Sequence, residues 1–153
     1  MYENRMKIQI FLIGFLFFLP AGCGEKDSTV ENEPASETAS LDCPSEWTED
    51  GSVWLDPSLC IAWSSRSEVL TWEEANDYCS SLSESGFTAW KLPTIEQLRD
   101  LSVRNHPFTE QEGDLWSSTL DQTGLVETAN LEQPGMTILL DKSAAAFAYC
   151  VFQ

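Results

Sequence analysis

His106, in Asn-His-Pro-Phe, is the one histidine of this chain, and a catalytic or metal-binding role would have to start from it. General acid–base chemistry needs a proton partner within reach, and metal binding needs a second His or Cys at ligand spacing. Neither flanks His106, so it reads as a turn residue. Ser117 and Ser118, in Leu-Trp-Ser-Ser-Thr, lie in no Gly-x-Ser-x-Gly or Ser-x-x-Lys pattern and read as strand residues. The acidic stretch Thr-Glu-Gln-Glu-Gly-Asp sets Glu110, Glu112 and Asp114 at every second position. Hard cations such as calcium take oxygen ligands of this kind, yet the spacing is not that of an EF-hand loop. A solvated acidic loop is the plainer reading.

Of the five cysteines, Cys23 stands apart. Arg5 and Lys7 precede an apolar run from Ile8 to Leu19, followed by Leu-Pro-Ala-Gly-Cys. This order of basic, apolar and small residues is that of a secretory signal. The run is shorter than the roughly 20 residues that cross a bilayer as a helix. Leu-Pro-Ala-Gly-Cys resembles the lipobox of bacterial lipoproteins, which implies removal of residues 1–22 and a lipid on Cys23. The expected location is the cell envelope, with Gly24 after the cysteine favouring the outer membrane by analogy with enteric sorting. Cys43, Cys60, Cys79 and Cys150 then remain, an even set that reads as two disulfides in an oxidising compartment, with three connectivities open.

Without residues 1–22 the chain loses Arg5, Lys7 and Glu3, keeping six basic and 24 acidic residues and a net charge of −18. Nucleic acid, anionic headgroups and sulfated glycans bind through clustered Lys and Arg, so this surface disfavours all three.

The stretch 23–42 is rich in Glu, Ser and Thr, carries almost no large apolar residue, and reads as a flexible tether reaching about 25 Å. All six tryptophans fall in 43–153, which reads as a single domain. Asp50-Gly51 predicts a hairpin turn, and Asp56-Pro57-Ser58 a second turn that leads to Leu-Cys-Ile-Ala-Trp. Thr71 with Glu74 forms a capping-box signature. Trp72, Ala75, Tyr78, Cys79 and Leu82 then share one helical face up to Gly86. A second helix begins at Thr94, with Gln97 three residues on and Ile95, Leu98 and Leu101 as its buried stripe. Pro93 keeps Leu92 extended. Trp90 and Leu92 point inward and Lys91 faces water. Three strands follow, at about 125–130, 136–140 and 147–152. Two helices between a hairpin and a run of strands predict an α+β fold.

Ser-Leu-Cys-Ile-Ala-Trp, Thr-Trp-Glu-Glu-Ala-Asn-Asp-Tyr-Cys, Gly-Phe-Thr-Ala-Trp-Lys-Leu-Pro-Thr-Ile-Glu-Gln-Leu, Leu-Trp-Ser-Ser-Thr and Tyr-Cys-Val-Phe occur in this order. Together they resemble the bacterial Lcl C-terminal-domain family over Trp47 to Phe152. That family is similar to the C-type-lectin-like fold. Two departures stand out. Tyr149 and Phe152 replace the arginines that commonly flank the last cysteine, and Ser58 to Trp63 replaces a Thr-Gly-Leu-x-Trp turn.

The resemblance implies two disulfides, Cys79–Cys150 and Cys43–Cys60, and a non-catalytic binding or assembly module. Its ligand would be a protein or an uncharged glycan, met near Trp116, Glu110, Glu112 and Asp114, and no cofactor is expected. Two rivals follow from the same likeness. A calcium-dependent lectin would use a Glu-Pro-Asn or Gln-Pro-Asp triplet. Here Glu132 and Gln133 precede Pro134, but Gly135 supplies no side-chain oxygen, so an ordinary turn is the plainer reading. A degenerate relative of formylglycine-generating enzymes would need reactive cysteines, and all five are expected to be committed.

Overall fold

A computed structural model describes residues 41–110 and 112–153. The expected signal at 1–22, the lipid site Cys23 and the tether as far as residue 40 lie outside the described residues. Among the described residues no helix is long and apolar enough to cross a membrane.

The strands are β1 Thr48–Asp50, β2 Val53–Asp56, β3 Ile61–Trp63, β4 Leu115–Leu120, β5 Val126–Ala129, β6 Thr137–Leu140 and β7 Val151–Phe152; the helices are α1 Trp72–Ser81 and α2 Ile95–Val103. They form two antiparallel sheets, in the orders β1-β2-β3-β7 and β4-β5-β6. The α+β class expected from the sequence is thus present.

The helices begin where their side chains can take up orphan amides. The Thr71 hydroxyl accepts from the Glu74 amide, and the Glu74 carboxylate accepts from the Thr71 amide. Thr94 and Gln97 make the same reciprocal pair. Each such cap contributes about 1 kcal/mol. Helix α1 ends at Ser81 rather than running towards Gly86, because the chain turns extended at Leu82, whose amide bonds the Cys79 carbonyl. The hairpin turn is displaced by one residue. Asp50 is the last residue of β1, and Gly51 takes the positive φ of 65° that glycine adopts without strain.

β3 is buried along its whole length, and its two faces front two apolar clusters. Ala62 joins Ala75, Cys79, Trp90, Leu92 and Trp116 on one side. Ile61 and Trp63 join Ile95, Leu98, Leu101 and Phe108 on the other. A strand covered on both faces needs apolar residues at every position, which Ile-Ala-Trp supplies. Leu41, which the sequence reading left in the tether, packs partly against the first cluster.

The last expected strand, 147–152, is a ladder only at Val151 and Phe152. Upstream, the hydroxyls of Ser67 and Ser64 accept from the amides of Ala148 and Cys150, both at 2.8 Å. The Ser67 and Ser64 amides donate in return to the Ala148 and Cys150 carbonyls at 2.8 and 2.9 Å, so each serine pairs with this segment through both its backbone and its hydroxyl.

Cys79 and Cys150 are joined, their Cα atoms 5.5 Å apart, which ties α1 to the chain's last strand. The expected Cys43–Cys60 bridge is not formed, and both residues are free thiols. The Cys43 thiol is turned towards the Pro57 carbonyl at 3.9 Å, while Cys60 sits in the β2–β3 turn at a φ of 53°. The two thiols remain neighbours. Hydrogen bonding to Cys43 pushes the Cys60 thiol up, and burial and the Asp42 charge push it further.

Candidate functional site

The pairing of the first sheet sets Glu49 opposite Trp54, and Trp54 opposite Trp63. Directly opposed residues share a face, so these three form a row across β1, β2 and β3. Trp63 is sealed by Phe108, whose ring also packs on Trp47 and Tyr149. Trp54, one strand further out, is only half-buried. Over it opens a cleft of about 360 Å³, lined by Glu49 and Ser52, by Ser64 to Arg66, by Pro107 to Glu110, and by Tyr149. A second depression of about 490 Å³ shares Arg66, Thr109 and Glu110 with the first and adds Glu112 and Glu132.

Arg66 shapes both. Its Nε lies 3.2 Å from a Glu110 carboxylate oxygen, and one terminal nitrogen donates to the Glu112 carbonyl at 2.8 Å and the Glu110 carbonyl at 3.5 Å. The guanidinium also lies 4.0 Å over the Phe147 ring. The Tyr149 hydroxyl donates to the Glu110 carbonyl at 3.1 Å. Burial, reinforced by Glu110 and opposed by Arg66, pushes this phenol up to about 12, so it stays a neutral donor. The acidic loop is therefore held to the sheet by two side chains distant in sequence.

Two serine hydroxyls of the cleft are also engaged. Ser64 donates to the Ser65 carbonyl, and Ser65 donates to Glu84 and to the Ser52 carbonyl. Among the described residues, the side chains of Glu49, Glu112 and Glu132 have no hydrogen-bond or ion-pair partner, and all three are exposed.

The residues singled out from the sequence separate in space. Glu110, Glu112 and Glu132 come together at the second depression. Asp114 and Gln133 line a third, of about 310 Å³, with Met136 and Ile138. Trp116 lines none of these three. It is fully buried and its indole donates to the Leu70 carbonyl at 2.8 Å, which makes it core rather than a contact for a ligand. Among the described residues no three His, Cys, Asp or Glu side chains are grouped so as to hold a metal ion. Ser117 and Ser118 spend their hydroxyls on the Glu127 and Pro93 carbonyls, as strand residues would. His106 packs beside Phe108, its Nδ1 buried without a hydrogen-bond partner. Burial, helped by the Arg104 charge, lowers its proton affinity.

The sequence reading missed Trp54, Glu49 and Arg66. The hairpin placed Glu49 near Trp54, but nothing local told Trp54 from the five other tryptophans. No family model matches the chain, and no curated protein matches it.

Proposed function

We propose that this chain is a lipid-anchored, exported, non-catalytic binding module of C-type-lectin-like architecture, held to the envelope through Cys23, which meets a protein partner at the cleft over Trp54. The observation that carries this reading is the cleft itself. A half-buried tryptophan forms its floor, and a loop immobilised by Arg66 and Tyr149 forms one wall. Rigid aromatic floors are the usual anchors of protein recognition, because they bury much area at little entropic cost. The non-catalytic part is supported by the serines of Leu-Trp-Ser-Ser-Thr, whose hydroxyls are spent on backbone carbonyls.

The test is capture from solubilised native envelopes with the full chain, wild type against Trp54→Ala. A partner held by wild type and lost with the variant supports the reading, and equal capture overturns it. The calcium-lectin alternative is checked alongside. Neither EDTA nor added calcium should shift the melting temperature; a rise on adding calcium would favour a metal-dependent site.

A further inference from the structure

Resting on the binding-module reading above, we propose that the cleft takes a cationic, extended peptide segment of the partner, with one Lys or Arg side chain set over the Trp54 indole and against the Glu49 carboxylate.

The argument is one of charge complementarity. Among the described residues, Arg66 is the one cation lining the two joined depressions. It is already saturated by Glu110, by two backbone carbonyls and by the Phe147 ring, and its side chain is only 15% exposed. It has little left for an anionic ligand. The other charged groups of the lining are Glu49, Glu110, Glu112 and Glu132, so the groove keeps three negative charges after Arg66 is counted. A neutral glycan would use those carboxylates only as hydrogen-bond acceptors and leave their charge uncompensated. An ammonium or guanidinium would use them, and the face of a tryptophan is the best aromatic surface for such a cation. Glu49 and Trp54 are directly opposed on adjacent strands, which sets carboxylate and ring side by side. The carboxylates beyond Arg66 continue the same sign along the second depression, which fits a segment with basic residues at intervals rather than a single cation. The net charge of −18 expected for the processed chain adds a field that draws such a segment in.

The experiment is fluorescence anisotropy on the full chain with a labelled Lys-Gly-Lys-Gly-Lys-Gly-Lys peptide, its Glu counterpart and a Gly-Ser peptide. The Lys peptide should bind and the other two should not. Binding should be lost at about 1 M salt, where the Debye length is about 3 Å. Trp54→Ala should weaken it about tenfold, and Glu49→Gln about threefold. Glu68→Gln, which removes an exposed carboxylate outside the groove, should leave it unchanged. If Trp54→Ala fails to fold, Glu49→Lys decides, since reversing an exposed charge should abolish binding of the Lys peptide. Equal binding of all three peptides, equal effects of Glu49→Gln and Glu68→Gln, or full binding by Glu49→Lys would each overturn the inference. Absent Lys-peptide binding together with Trp54-dependent capture from envelopes would overturn the basic-segment inference and leave the binding module standing. Failure of both would overturn both.

Discussion

Asp56 is fully buried at the end of β2, where the sequence suggested only a turn. One of its oxygens takes the amides of Ser58 and Leu59, the other the Trp63 indole, and Arg104 grips both at 3.0 and 2.7 Å. Burial pushes the carboxyl up, but these donors outweigh it, Arg104 foremost, and its proton affinity ends below the ordinary carboxylate value. Arg104 is held in turn by Asp100 at 2.8 Å and stacks over Trp47. Arg104→Met would strand a buried carboxylate and should cost about 3–5 kcal/mol. The pH dependence follows from two signs. Asp56 is lowered, so its contribution is complete above about 3.9, its value when unfolded, and is lost as pH falls through its lower folded value. His106 is lowered too, so its contribution is complete above about 6.5 and shrinks below that. Thermal melts of the wild type should therefore decline in two stages on acidification, and Arg104→Met, which removes the largest donor holding Asp56 down, should shrink or abolish the second stage. A flat profile from neutral to about pH 4 would contradict this assignment.

At the scale of elements, what was legible in the sequence was what local hydrogen bonds decide. Thr71 with Glu74 and Thr94 with Gln97 announce both helix starts, since a cap needs only residues three apart. The stripe Ile95, Leu98 and Leu101 is buried as the periodicity requires. Thr94→Ala removes one half of a reciprocal cap and should cost about 1 kcal/mol, a fall of about 4 °C in Tm. Thr94→Ser should restore it, because the hydroxyl is the acting group. The strand expected at 147–152 was misjudged for a reason of the opposite kind. Its alternating pattern is real, but its partners at 148 and 150 are Ser67 and Ser64, through backbone amide and hydroxyl both, more than 80 residues away in sequence. Lys91 likewise offers only its backbone, exchanging two hydrogen bonds with Val151 while its side chain faces water.

Across the whole molecule, the Cys79–Cys150 bridge closes a loop of 71 residues and joins α1 to the last strand. In the chain-entropy picture it contributes about 4 kcal/mol, so Cys79→Ser should lower the melting point far more than Cys43→Ser. Alkylation of the native, unreduced domain should label Cys43 and Cys60 and spare the buried pair; no label at all would mean that the expected second bridge closes in solution.

The sequence by itself determined the α+β class, both helix starts and the buried stripe of α2. Those properties rest on spacings of two to four residues, over which capping and periodicity act. Only the tertiary structure decided which of six tryptophans lines the cleft, that Trp116 is core, and that Arg66 is consumed in holding the acidic loop. The cleft draws its lining from residues 49–54, 64–66, 107–110 and 149. Segments so far apart acquire a common surface only when the strands pair, and no local pattern in the chain encodes that pairing.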